Sequence, residues 1–186
     1  MSELLIASLA LPDRSGRFAG QVWVTPVSAT LGEEGPNFGI APGRAEVGIT
    51  LRANRQEDLD RLKEDLVEMA GQMAGADALD MMLSWHEEFP ATVNHEVAVR
   101  SIVTAAESEG LSTSEIETPF RWSEDFCYYT KAYPGAFFGI GSGEDTPQLH
   151  HQHYDFPDEL IPTGIRIFAR IAHDIVGVSG IFGQEG

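Results

Sequence analysis

Three histidines, His150, His151 and His153, lie within four consecutive positions and make up half of the six histidines in the 186-residue chain. Neutral imidazole is a common ligand of zinc and related metals. An apolar, glycine-rich segment precedes them and a second apolar segment follows. This pattern predicts a strand over 136–140, a loop, and a helix that begins near Pro162. Loops at strand ends are free of core packing, so we expect this loop to present a metal ligand.

The first half of the chain alternates between strand and helix patterns. The predicted elements, in order, are a helix over 2–11, a strand over 21–31 with a break near Pro26, a strand over 45–53, a helix capped by Asn54 with Glu57, and a strand over 79–85. The apolar stripe of the longer helix is Leu59, Leu62, Leu66, Met69 and Met73. With one strand added in front, this order forms a split βαββαβ sandwich.

The second half carries further helix and strand signals. Asn94 is expected to cap a helix over 95–109, and Ser123 to cap a shorter one, with a strand over 114–120 between them. The last helix is expected to turn four apolar residues inward: Ile165, Phe168, Ile171 and Ile175.

The composition narrows the class of partner and compartment. The formal net charge is -17, from 29 acidic and 12 basic residues, which disfavours nucleic acid and anionic membranes as partners. Cys127 is the single cysteine, so no intrachain disulfide can form, and a reducing, cytoplasmic location fits best. We expect no signal peptide, and no apolar run approaches the roughly 20 residues that a membrane span requires.

Five segments occur in an order that is characteristic when they are taken together. They are ITLR (49–52), FPATVNH (89–95), RWSEDF (121–126), PGAFFGIGSG (134–143) and LHHQHYDFPDELIPTG (149–164). Their order resembles the co-catalytic zinc amidohydrolases, which include aminoacylases, hippurate hydrolases, indole-acetyl-amino-acid hydrolases and carboxypeptidase relatives. Each segment alone is a weak signal, whereas their order and spacing over nearly the whole chain are specific.

The resemblance implies a fold of α+β and α/β type in two parts. Residues 1–91 are expected to form an incomplete βαββαβ sandwich, called the lid in this family, without its first strand. Residues 92–186 are expected to form the C-terminal part of an α/β zinc-exopeptidase-like catalytic domain. Because the lid dimerises in the family, a homodimer through the lid is also expected.

The resemblance also assigns roles to three residues. His150 aligns with the last metal ligand of a site that holds two zinc ions. Arg52 aligns with the lid arginine that meets the substrate carboxylate, a task for which a guanidinium is suited. The family's carboxylate-binding asparagine aligns with Gly39, so Asn37, two residues earlier, is the candidate for that contact. The remaining ligands and the general base are expected upstream of Met1, so the chain is expected to be inactive alone.

The implied reaction is hydrolysis of the amide bond of N-acyl amino acids or small peptides by a metal-activated water. Two alternatives stay open. The chain could be a truncated, non-catalytic dimerisation or interaction module. Less in keeping with the helical patterns, His151 and His153, followed by Asp158 or Glu159, could form a cupin-like metal site, for which many short strands would be needed.

Overall fold

The computed structural model describes residues 1–32 and 38–177. Its elements are α1 (Ser2–Leu9), β1 (Val22–Leu31), β2 (Ala45–Ala53), α2 (Gln56–Ala76), α3 (Glu96–Ser108), α4 (Phe126–Ala132) and α5 (Leu160–Val176). The mixed helix and strand content confirms the predicted fold class. None of the helices in the described part is long and apolar enough to cross a membrane.

The chain divides into two compact units. The first contains Met1–Ala91 together with Pro119–Glu124, and the second contains Thr92–Thr118 and the residues from Asp125 onward. The identification of these units with a lid and a catalytic segment stays a prediction.

In the first unit, β1 and β2 form an antiparallel hairpin. Trp23 lies opposite Arg52, and Val24 lies opposite Leu51. The register shifts at Pro26, as the sequence predicts, because proline has no N–H to donate to the ladder.

The helix α2 contributes half of the buried core residues on one face of this hairpin. The buried cluster consists of Leu11, Val24, Leu62 and Leu66. Leu62 is fully buried, and burial of one leucine side chain contributes about 1.5–3 kcal/mol. Successive side chains alternate between the faces of a strand, so Trp23 and Arg52 lie on the face opposite this core.

Two buried aspartates on α2 hold the segment that joins α1 to β1. Asp58 accepts hydrogen bonds from the backbone N–H groups of Ala19, at 3.1 Å, and Gly20, at 2.7 Å. Asp65 is paired with Arg17, at 2.6 Å, and with Arg14. The polar residues before β1 are therefore fixed against α2.

The helix caps differ from the predictions. Asn54 does not cap α2, whose N-cap is Arg55. Instead, the Oδ1 of Asn54 accepts a hydrogen bond from the Gln21 N–H at 2.9 Å. Ser123 does not cap α4, and Asn94 does not cap α3, because His95 accepts the hydrogen bond from the Val97 N–H. Short polar side chains bond whichever backbone group the fold brings near, and local spacing does not determine that group.

The strands predicted over 79–85, 114–120 and 136–140 are also wrong for the described residues, whose only sheet has two strands. An alternating pattern becomes a strand only when another strand supplies hydrogen bonds. Instead, Lys63 of α2 ties down the segment after Leu79. Its ammonium lies 4.4 Å from the Trp85 ring centroid and forms an ion pair with Glu88.

In the second unit, α3 packs against α5, and Glu109 at the end of α3 pairs with Arg166 and Arg170. The helix α5 begins at Leu160, two residues before the predicted start. Ile167 is its buried residue, whereas three residues predicted to face inward are more than 60% exposed: Ile165, Phe168 and Ile175. The described part of this unit therefore leaves one apolar face of α5 open.

Asn94 joins two distant stretches of the second unit. Its Nδ2 donates to the Phe137 carbonyl at 2.9 Å, its Oδ1 accepts from the Phe137 N–H at 2.8 Å, and the His95 N–H donates to the Gly135 carbonyl. An asparagine amide thus pairs with one residue's backbone as a neighbouring strand would.

Asn94→Ala is expected to lower the free energy of unfolding by about 1–2 kcal/mol, because two hydrogen bonds of about 0.5–1.5 kcal/mol each are lost at a partly solvated position. Chemical unfolding would measure the change, and hydrogen exchange would report on the Phe137 amide. Ser101→Ala, which removes one exposed hydrogen bond within α3, is the control. Unchanged protection of the Phe137 amide would contradict the pairing.

Candidate functional site

His150 lies in the second unit, on an exposed turn between the segment 136–140 and α5. Its backbone has φ = 69°, in the left-handed region that non-glycine residues adopt at a cost of roughly 1–2 kcal/mol. The flanking turns are closed by hydrogen bonds from the His151 N–H to the Gln148 carbonyl and from the Tyr154 N–H to the His151 carbonyl. The turn thus holds a strained residue at the position of the candidate ligand.

His151 and His153 contact each other within the same loop. Their ring centroids are 5.5 Å apart, and His151 Nδ1 accepts a hydrogen bond from the His153 N–H at 3.2 Å. His153 and Asp155 also have the His-x-Asp spacing. In the part of the chain that the structure describes, however, no three His, Cys, Asp or Glu side chains gather as metal ligands would. The loop therefore offers single imidazoles.

Arg52 lies in the first unit, near the end of β2, on the hairpin face that is turned away from α2. Its Nε is buried and has no hydrogen-bond partner among the residues that the structure describes. A buried donor without a partner costs about 1–3 kcal/mol. The position is therefore unfavourable as it stands and would gain from an acceptor such as a carboxylate oxygen.

Arg121, which was not singled out from the sequence as a site residue, lies on the same unit. Its guanidinium carbon is 5.1 Å from the centroid of the Trp23 ring, a cation–π distance. Its neighbours Phe120 and Trp122 stack at 4.1 Å with an interplanar angle of 16°. The only sequence signal for Arg121 is that it opens the RWSEDF segment.

Asn37, the other predicted carboxylate contact, lies outside the described residues. Cys127 is buried, and this burial raises the pKa of its thiol, so the neutral thiol dominates near pH 7. Such a cysteine behaves as a packing residue, in agreement with its position beside Phe126 and Tyr128. His150 and Arg52 belong to different units.

The sequence and the fold are both similar to those of known hydrolases. The family model described as Peptidase family M20/M25/M40 matches residues 16–174. The IAA-amino acid hydrolase ILR1-like 5 of Arabidopsis thaliana is 26% identical over 144 residues, which cover 73% of this chain and 33% of that protein. The hippurate hydrolase of Campylobacter jejuni is 25% identical over 140 residues, covering 74% and 36% respectively.

Among solved structures, a protein described as an aminohydrolase from methicillin-resistant Staphylococcus aureus superposes with a TM-score of 0.66 at 17% identity, covering 93% of this chain and 45% of that one. At this identity the likeness concerns the fold. The chain spans about a third of the length of the curated relatives it matches. Because the family model covers most of the sequence, the chain belongs to Peptidase family M20/M25/M40.

Proposed function

We propose that this chain supplies part of a metal-dependent amidohydrolase site that cleaves the amide bond of N-acyl amino acids or small peptides. Membership in a family of hydrolases supports the reaction class. The observation that carries the proposal is the buried, unpartnered Nε of Arg52, on the strand end where the resemblance expects a carboxylate-binding arginine. A substrate carboxylate would satisfy that donor and hold the amide bond in a fixed register. Asn37 is proposed as a second contact to the same carboxylate.

His150 is proposed as one metal ligand, with zinc as the metal and two ions in a complete site. Its donor chemistry fits, because a single neutral imidazole on a tightly turned loop can serve as one of several ligands. The described residues offer no group of three ligands around it, so we propose that the other ligands come from outside this sequence. The bound metal would supply a water of lowered pKa as the nucleophile. The contribution of His150 is to hold the metal on the second unit.

The substrate-binding proposal is tested with Arg52→Ala and N-benzoylglycine, using its methyl ester as the uncharged comparison. NMR titration of the arginine Nε–H signals would report binding at the residue itself. We expect the variant to weaken binding of the acid about 10-fold or more, as loss of a charge-assisted hydrogen bond predicts, with little effect on the ester. Arg100→Ala removes an exposed guanidinium that is paired with Glu96 and is the control. Equal binding of acid and ester would refute the carboxylate role.

The metal proposal is tested by the zinc content of the wild-type chain after dialysis against a zinc buffer. His150→Ala and, as the control, His86→Ala, an exposed histidine of the first unit, are treated in the same way. One imidazole holds zinc weakly, so we expect little retained metal in all three proteins and no hydrolysis by the chain alone. Near one ion per chain, lost only in His150→Ala, would mean that the loop forms a complete site by itself and would overturn the shared site.

A second proposed role is that of a non-catalytic dimerisation module. The observation in its favour is that, in the described part of the chain, each strand of the hairpin pairs only with the other, so both outer edges are open there. We propose homodimerisation through this first unit, with the cytoplasm as the compartment. Sedimentation equilibrium of the chain, compared with a variant carrying Val47→Pro at the outer strand β2, would detect it. A monomer at all concentrations would exclude this role.

A further inference from the structure

Among the described residues, the first unit carries two guanidinium groups without an ion-pair partner. All twelve Lys and Arg residues of the chain lie in the described part. Nine of them form ion pairs with carboxylates of described residues. The three that do not are Arg52, Arg121 and Lys131. In a chain with 29 acidic residues, carboxylate partners are abundant, so an arginine without one is informative.

Two of these three cations share one tryptophan. Arg52 is directly opposite Trp23 in the hairpin, which puts their Cβ atoms about 4.5–5.5 Å apart on the same face. Arg121 lies over the ring of the same residue, at 5.1 Å. Trp23 is half-buried and Arg121 is exposed. Trp23 therefore has two positively charged residues as neighbours, Arg52 across the hairpin and Arg121 over its ring.

Such an arrangement is unfavourable for folding alone. Two positively charged residues next to one tryptophan disfavour each other, and the Nε of Arg52 loses its hydration without gaining a partner among the described residues. The cation–π contact offsets only a small part of this when the cation is solvent-exposed. An anion bound on this face would satisfy the buried donor and relieve the repulsion at once.

We propose that Arg121 is a second carboxylate-binding residue, held near Arg52 by the face of Trp23, so that both guanidinium groups receive the carboxylate of an N-acyl amino acid. This inference rests on the proposed function and adds a residue to it. The planar face of Trp23 would keep the Arg121 guanidinium oriented for two parallel hydrogen bonds, a geometry that lysine cannot reproduce. Trp23 acts here as a positioning residue, because it works through Arg121.

The test compares N-benzoylglycine with its methyl ester on the full chain. We expect Arg121→Gln to weaken binding of the acid about 3- to 10-fold, the effect expected of one exposed charge-assisted contact, and to leave the ester unchanged. Arg121→Lys, which keeps the charge but not the planar fork, should give most of this loss. Lys131→Ala removes the remaining unpaired cation, on the second unit, and should have no effect. The NMR signals of the Trp23 indole and Arg121 Nε should shift on addition of the acid.

The outcomes separate this inference from the proposed function. If Arg52→Ala weakens binding and Arg121→Gln does not, the inference is overturned while the role of Arg52 stands. If neither variant alters binding of the acid, or the chain binds no acid at all, both fail. If Arg121→Gln weakens the acid and the ester equally, Arg121 only fastens the segment 119–124 to Trp23, and the carboxylate role is likewise overturned.

Discussion

Leu62→Ala is expected to lower the free energy of unfolding by about 2–5 kcal/mol. Leu62 is fully buried between α2 and the hairpin, where it belongs to the cluster with Leu11, Val24 and Leu66. Truncation removes apolar contact and leaves a cavity that the surrounding side chains fill only in part. Because this small core holds the first unit together, few other single substitutions should cost as much.

Leu79→Ala provides the matched control, because the side chain of Leu79 is 62% exposed and its segment has no strand partner among the described residues. The same change in size should cost less than about 0.5 kcal/mol there. Urea unfolding monitored by tryptophan fluorescence would measure both variants. Equal losses would contradict the described arrangement, because they would mean that the segment 79–85 is a packed strand, as its alternating sequence predicts.

These two leucines show which part of the fold the sequence could predict. The spacing of Leu62 and Leu66 on α2 is a local pattern that reflects one buried face, and the structure has that face. The pattern over 45–53 predicts a strand, which is present as β2, and Ile49 and Leu51 pack against the core, although the exposure along β2 does not alternate. The alternation over 79–85 is equally clear, but a strand also requires a partner with free backbone groups. No described segment provides one. Periodicity therefore identifies an apolar face without determining what covers it.

The open apolar face of α5 is a second case in which the pattern does not determine what covers it. The apolar stripe is present, yet the described residues bury Ile167 and leave Phe168 largely exposed, apart from its ring contact with Phe138 at 5.6 Å. An apolar stripe on a helix predicts which helix face is buried only when the elements that cover this face are known. The predictions of the helix caps were wrong for a related reason. Asn54 and Asn94 form hydrogen bonds with backbone groups that are distant in sequence, at Gln21 and Phe137.

For the candidate site, residue type and motif order predict roles for His150 and Arg52, but not what surrounds these residues. The positive φ of His150 and the unpartnered Nε of Arg52 depend on the folded backbone. Arg121 could not be linked to Trp23 from the sequence, because the two are far apart in the chain and no spacing rule joins them. The RWSEDF segment contributes only to the order of motifs, whereas the folded chain brings its arginine over the Trp23 ring.

Acidification is expected to destabilise the first unit through the two buried aspartates of α2. Burial by itself would raise the pKa of Asp58, but the N–H groups of Ala19 and Gly20, with the charges of Arg55 and Arg61, outweigh it and lower the pKa below its usual 3.8. The pKa of Asp65 is lowered as well, chiefly by the hydrogen bond from Arg17, which outweighs the opposing effect of burial. Both carboxylates therefore bind protons less readily in the folded than in the unfolded state.

The sign of the effect follows from this difference. The stabilisation is fully present above the unfolded-state pKa and is lost as the pH falls through the lowered folded-state values. Stability should therefore be flat near neutral pH and fall from about pH 5 downward. The free energy of unfolding from urea titrations at a series of pH values would measure the slope.

Asp65→Asn isolates one of the two groups. At pH 7 it should cost about 1–3 kcal/mol, because Arg14 and Arg17 lose their common partner, although both arginines are about half exposed and solvent screens part of the loss. At pH values below the folded-state pKa of Asp65 the variant and the wild type should converge, since the wild-type carboxyl is then neutral as well. Asp60→Asn, at an exposed position of α2, is the control and should leave the slope unchanged. A cost for Asp65→Asn that stays constant from pH 7 to pH 2 would mean that the shape of the side chain matters there and its charge does not, and the anchoring of the segment before β1 by ion pairs would be refuted.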